Sequence, residues 1–280
     1  MSIWLILTCY ASILGLLVGS FLNVVIARLP LNESIVSPRS RCPKCLQQIL
    51  ARDNMPVLSW ILLRGKCRHC AHPISSRYPT IELLVGLLFL LLFWEDIPSA
   101  QQLNWGTGME FIIHASFISI LVALSFIDIR YYIIPDQLSI YPIPIFIAWT
   151  YSLEYMGISV QVSAKEAVLG AFFGGGGLLL LTWIWKLLRK KEGMGMGDIK
   201  LLALIGVICG PWPALPIILF LSSMSAICVI VPMSIAKKRS LRNALPFGPF
   251  LSFASIIWLL HGTELVSLWI PGAETIFQNL

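Results

Sequence analysis

Two aspartates stand at the edges of apolar runs in a chain of 280 residues that is only 12% charged. Asp128 closes Ser125-Phe126-Ile127, and Asp198 follows the glycine-spaced stretch Gly193-Met194-Gly195-Met196-Gly197. An ionisable side chain at a membrane segment is expensive and is a functional candidate by default. Two carboxylates that meet cannot both ionise. Sharing a proton, they activate water as a general acid/base pair without a covalent intermediate. This points to an aspartic peptidase working at or in a bilayer. Asp136 follows Ile134-Pro135 and opens an apolar helix, so an N-cap role accounts for it. Asp128 sits at a helix C-terminal end, against the macrodipole, and needs another reason for its place. Asp198 also begins a helix, but its glycines remove side chains at alternate positions and leave room for an extended substrate backbone. No serine, cysteine or histidine offers a rival constellation, and His114 and His261 lie near outer span ends without an evident partner.

The second constellation is Cys42-Pro43-Lys44-Cys45 with Cys67-Arg68-His69-Cys70. Each Cys-x-x-Cys places two thiolates on one ion, and two such knuckles complete a tetrahedral four-sulfur site for structural zinc. Disulfides are disfavoured in a cytosolic loop, and a redox dithiol needs no second matched pair. His69 is too close to Cys70 to replace it as a ligand. The polar insert of about 48 residues cannot bury enough core to fold alone, and metal binding supplies the missing free energy. Cys9, Cys209 and Cys228 fall in apolar runs and read as small buried hydrophobes.

The elements that must hold these residues are membrane helices. The chain is 57% hydrophobic, and its apolar runs approach spanning length. A polytopic all-α membrane protein of about eight transmembrane helices is expected, with spans near 3–28, 79–95, 109–127, 138–154, 166–188, 197–213, 214–235 and 245–261. The formal charge of +6 would suit nucleic acid, but the bases concentrate in alternate connections. Arg39, Arg41, Lys44, Arg52, Arg64, Lys66, Arg68 and Arg77 lie in the first loop, and Lys237, Lys238, Arg239 and Arg242 precede the last span. The positive-inside rule then puts the first loop in the cytoplasm and both termini outside, with no nucleic acid as partner. The first run lacks a basic start, so it reads as an uncleaved span rather than a secretory signal.

The expected organisation is a first transmembrane helix over 1–30 and a cytoplasmic zinc-binding insert over 31–78. A second helix with its outer loop covers 79–108, a peptidase core 109–261, and an outer tail 262–280. No internal repeat is visible. Gly170 and Gly174-Gly175-Gly176-Gly177 fit close helix packing rather than chemistry. Asn23 and Glu82 are polar residues in costly places, and either faces a small ligand or satisfies neighbouring backbone groups and bases.

The chain resembles bacterial prepilin peptidases, the type IV leader peptidases of pilus and type II secretion systems, within the wider Gly-x-Gly-Asp group of membrane aspartic proteases. The resemblance runs through Gly19-Ser20-Phe21-Leu22-Asn23 with Arg28-Leu29-Pro30 and both cysteine pairs with Pro56-Val57-Leu58-Ser59-Trp60 between them. It continues in Arg77-Tyr78-Pro79 with Glu82, Asp128 to Asp136, Gly195-Met196-Gly197-Asp198 and Pro246-Phe247-Gly248-Pro249. It implies cleavage of a basic leader from prepilins or pseudopilins on the cytoplasmic side of the inner membrane. It also implies N-methylation of the new terminal residue from S-adenosylmethionine. The family's catalytic aspartates correspond to Asp128 and Asp198, and its four-cysteine domain to Cys42, Cys45, Cys67 and Cys70.

No soluble Gly-x-Gly-x-x-Gly unit marks the methyl donor's site, so the residues that bind it are not assigned. The rival reading is a zinc-ribbon membrane scaffold for pilus or secretion-system assembly without catalysis. An ion-coupled transporter would place its charges near the midplane of the bilayer instead of at one edge. The basic face is read as holding topology and anionic membrane lipids.

Overall fold

A computed structural model describes residues 3–189, 195–237 and 246–269. The described residues are almost wholly helical, with no sheet and two isolated β-bridges. The chain divides into two compact units, Met1–Ala123 and Leu124–Leu280.

In the first unit, α1 (Ile3–Arg28) packs along α3 (Arg77–Asp96). The approach depends on missing side chains. A Cβ at Gly15 would lie 2.7 Å from the Val85 carbonyl oxygen, and one at Gly19 would lie 2.8 Å from the Glu82 Cα. Small residues four apart bring helix backbones together in lipid, where apolar burial no longer drives association. α4 (Trp105–Tyr131) opens in this unit, with Phe111 set edge-on to Phe89 and Phe93. His114 does have a partner: its Nδ1 lies 3.1 Å from both carboxylate oxygens of Asp96, and both side chains are buried.

The insert between α1 and α3 contains the short helix α2 (Leu58–Leu62) and two matching knuckles. Cys42 N–H donates to the Gln47 carbonyl and Leu46 N–H to that of Cys42. Cys67 N–H donates to His72 and Ala71 N–H to Cys67 in the same way. The bridges Arg41–Gln48 and Lys66–Pro73 follow the same 25-residue offset (41 to 66, 48 to 73). An internal repeat is therefore present. It is written in backbone hydrogen bonds rather than in side-chain identity, which is why only the cysteines betray it.

The second unit holds the end of α4, then α5 (Asp136–Ser139), α6 (Pro142–Tyr155), α7 (Ala164–Ala171) and a π-helical segment Phe172–Gly177. α8 (Leu178–Arg189), α9 (Met196–Cys209), α10 (Ala214–Lys237) and α11 (Gly248–Trp269) follow. α9 is the enclosed member, packed against α7, the π segment, α6 and α11. Gly170 meets Gly206 backbone to backbone, and Gly174 meets the Leu202 carbonyl. The glycine run thus serves close packing, as its spacing suggests.

The chain is a multi-pass membrane protein by its helices. Among the described residues, six are long and apolar enough to cross a bilayer: Ile3–Leu31, Arg77–Asp96, Trp105–Tyr131, Ala164–Arg189, Ala214–Pro232 and Gly248–Ser267. Two of the eight expected spans, α6 and α9, are helices of 14 residues each. At 1.5 Å per residue each reaches about 21 Å, short of a hydrocarbon core about 30 Å thick. Pro142 lacks an N–H and separates α6 from α5. Gly210, at φ +79°, ends α9 before Pro211. Cys209 is buried as expected, whereas Cys9 and Cys228 are exposed on their helices.

Candidate active site

Asp128 occupies the last turn of α4, which Tyr132 terminates in a left-handed conformation at φ +57°. Its side chain is buried, and Oδ2 accepts a 3.0 Å hydrogen bond from the backbone N–H of Gly248. Gly248 is the first residue of α11, and the leading N–H groups of a helix have no internal acceptor. The macrodipole penalty at the end of one helix is thereby met by the positive end of another.

Asp198 lies in the first turn of α9, where the dipole favours an anion. It is not a side-chain cap: Gly195 holds the N-cap position, and no side chain closes the turn. Ile134 lies against both Gly197, the residue before Asp198, and Gly248, whose N–H holds Asp128. The structure therefore brings the two expected aspartates into one region of the second unit. Ile134 explains the flanking glycines. A Cβ at Gly197 would lie 3.1 Å from its Cβ, and one at Gly248 would lie 3.4 Å from its Cδ1. Gly197 makes room for the α4–α5 connection, a role that its spacing alone does not disclose. Gly193 lies outside the described residues.

Asp136 is not an N-cap. Pro135 holds that position, and Asp136 Oδ1 accepts a 2.6 Å ion-paired hydrogen bond from Lys200 Nζ. This pair ties the start of α5 to Lys200 on α9, two residues beyond Asp198. Gly248 stands in the quoted Pro246-Phe247-Gly248-Pro249 motif, but the sequence assigned it no role beside Asp128. Its signal is a glycine held between Phe247 and Pro249 at a helix start.

In the first unit the four sulfurs of Cys42, Cys45, Cys67 and Cys70 all lie within 4.8 Å of one another. Cys42 and Cys70 are 3.7 Å apart, close to the edge of a tetrahedron with metal–sulfur bonds near 2.3 Å, which is about 3.8 Å. Backbone N–H groups of Cys45 and Lys44 point at the Cys42 sulfur and hold its thiol down to about 6. The donor set fits a thiophilic ion and leaves no open position. Arg68 clamps Asp53 through Nε and Nη2 at 2.6–3.0 Å, which fastens the second knuckle to the segment before α2. That guanidinium keeps the Asp53 carboxyl below the usual carboxylate range. Asn23 and Glu82 do satisfy backbone groups: Asn23 Nδ2 donates to Gly19 and Tyr78, and Glu82 Oε2 accepts from Val57.

Residues 13–95 match the bacterial peptidase A24 N-terminal domain, and residues 115–231 match the type IV leader peptidase family. A prepilin leader peptidase/N-methyltransferase of Aeromonas hydrophila is 38% identical over 90% of this chain and 89% of its own length. One from Stutzerimonas stutzeri is 35% identical over 94% of each. Another, from Neisseria gonorrhoeae, is 38% identical over 92% of this chain and 91% of its own. No solved structure matches the chain. Both halves align with one set of full-length relatives, so the chain belongs to the type IV leader peptidase family.

Proposed function

We propose that the chain is a bifunctional membrane enzyme. It removes the basic leader from type IV prepilins or type II secretion pseudopilins and then N-methylates the residue exposed. The observation that supports the hydrolytic half is the shared neighbourhood of the two aspartates: Gly248 holds Asp128, and Ile134 packs against both Gly248 and Gly197, the residue before Asp198. Two carboxylates within hydrogen-bond reach share one proton. The ionised carboxylate takes a proton from water while the protonated one donates to the scissile carbonyl oxygen. Collapse of the tetrahedral adduct returns a proton to the leaving amine. The relatives' name supports both activities, and no observation favours a non-catalytic scaffold.

Residues 109–261 form the peptidase core in this reading, and 31–78 the insert associated with methylation. Cys42, Cys45, Cys67 and Cys70 hold zinc, which a complete thiolate shell makes structural. S-adenosylmethionine, when bound, supplies an electrophilic methyl group on a sulfonium. In the same reading the enzyme lies in the bacterial inner membrane with its catalytic side cytoplasmic, which the bases of the first loop support for sidedness.

The test is single substitution, Asp128→Asn and Asp198→Asn, in cells co-expressing a prepilin. Both variants insert in the membrane and leave the prepilin uncleaved. Normal leader removal by either one eliminates the pair as the catalytic centre.

A further inference from the structure

We propose that a cavity in the first unit, between the basic end of α1, the start of α3 and the cysteine insert, is the binding site for S-adenosylmethionine. The assignment rests on the methylation half of the function proposed above.

The cavity has a volume of 530 Å³, inside the range of roughly 300–1,000 Å³ that small-molecule sites occupy. Asn23 lines it from α1 and is only 3% exposed. Its Nδ2 is engaged by the Gly19 and Tyr78 carbonyls, yet its Oδ1 has no partner. Buried acceptors in folded proteins are almost always satisfied, so one left without a partner in a residue that lines a cavity calls for a donor that a bound molecule can bring. S-adenosylmethionine brings several: the adenine amine, the ribose hydroxyls and the ammonium of its methionyl part.

The rest of the wall fits the same molecule. Glu82 faces the cavity from α3, 8% exposed, and supplies an anion for a sulfonium cation. Trp60 offers an aromatic face for adenine or for the cation. That ring is fixed before any ligand arrives. Its Nε1 donates to the Ile74 carbonyl at 3.1 Å, and Gly65 lies against it so closely that a Cβ there would come within 3.0 Å.

Strain also collects here. Val57, on the lining, holds φ at +59°, a region a β-branched residue avoids. Glu82 keeps it there by accepting its N–H at 2.7 Å. Backbone strain of this kind persists where surrounding structure over-determines it, and it gathers at ligand sites. Cys42 and Cys67 belong to the same wall, so ordering of the insert by metal shapes the cavity. Sidedness agrees as well. Asn23 lies five residues before Arg28 and Glu82 five after Arg77, at the basic ends that face the cytoplasmic donor pool.

The experiment uses the full zinc-loaded chain in nanodiscs, with S-adenosylhomocysteine as the probe and titration calorimetry as the readout. Ala27→Trp fills the cavity from α1, and Asn23→Leu removes the open acceptor. Both weaken binding by more than about tenfold, while prepilin cleavage continues and reports an intact fold. Wild-type affinity in both variants overturns the site and leaves the proposed function standing. A wild-type chain that cleaves prepilin but neither binds the probe nor methylates overturns the methylation half together with the site. If the variants lose a phenylalanine-led peptide but keep the probe, the cavity belongs to the methyl acceptor and the assignment falls. Photolabelling of the wild-type chain by an azido-adenine analogue needs no variant to fold. Labels within 20–28, 55–60 or 78–82 support the site, and labels confined elsewhere overturn it.

Discussion

The backbone N–H of Gly248 donates to Asp128 Oδ2 across 3.0 Å, joining the first residue of α11 to the last turn of α4. A Cβ at position 248 would stand 2.8 Å from that oxygen, closer than real contacts allow. Gly248→Ala therefore displaces the carboxylate without changing any ionisable group. A misplacement of this order at a reacting group lowers turnover about 10²-fold. Prepilin cleavage in vitro should fall by that much while membrane insertion stays normal. Wild-type cleavage by Gly248→Ala would show that the contact does not position Asp128.

The Asp136–Lys200 pair lies close to the same site but answers to different physics. Asp136 is half exposed and Lys200 about a quarter exposed at the side chain, and exposed ion pairs contribute about 0–1 kcal/mol. Asp136→Asn and Lys200→Met should each lower cleavage less than about tenfold, with a difference from wild type that shrinks as salt screens the pair. Asp198→Asn should abolish cleavage at every salt concentration. A loss in Asp136→Asn as complete as that in Asp198→Asn would promote Asp136 from tether to catalyst.

What the sequence disclosed follows from what each signal depends on. The membrane class rests on hydropathy summed over long windows, so it was plain. The four-cysteine cluster rests on the spacing of its cysteines, and Asp128 and Asp198 stood out as candidates because charge is rare beside apolar runs. Partnerships between distant residues left no such trace. Gly248 reaches Asp128 across 120 positions, and a glycine carries no sign of which atom its N–H will find. Asp96 ends α3 and His114 lies in the third turn of α4, and nothing local announces that they meet. Among the described residues, six of the eight expected spans are helices of spanning length, and the two short ones share a related cause. Hydropathy windows pass smoothly over Pro142 and Gly210, where the backbone actually breaks. Asp136 was misjudged because Pro135 took the cap position, a shift of one residue that propensity cannot resolve.

Helix packing in the first unit makes a prediction about stability. A Cβ at Gly19 would meet the Glu82 Cα at 2.8 Å and the Ile81 carbonyl oxygen at 3.1 Å. Those are backbone atoms, which cannot rotate away, so Gly19→Val must push α1 from α3. Overpacking of this kind destabilises by about 1–3 kcal/mol. Thermal unfolding in detergent should show a lowered transition. The substitution also shifts Asn23, one turn further along α1, so methylation should suffer as well. An unchanged transition would mean that the two helices are held apart by contacts other than these glycines.

The cysteine cluster should separate the two proposed activities. Cys42→Ser with Cys45→Ser removes half the ligands of a tetrahedral site, and a domain too small to fold on its own core then loses the free energy that metal supplied. Bound zinc, measured by atomic absorption, should fall from one equivalent to none. The knuckles and their Asp53–Arg68 clamp lie wholly in the insert, whereas Asp128, Asp198 and Gly248 lie in the second unit. Methylation should therefore drop at least about tenfold while leader cleavage falls less than about threefold, each a rate ratio convertible to a barrier change. Chelation of the wild-type protein should reproduce the pattern, and added zinc should reverse it. Equal loss of both activities in a chain that still unfolds cooperatively would show that the insert also supports the peptidase centre.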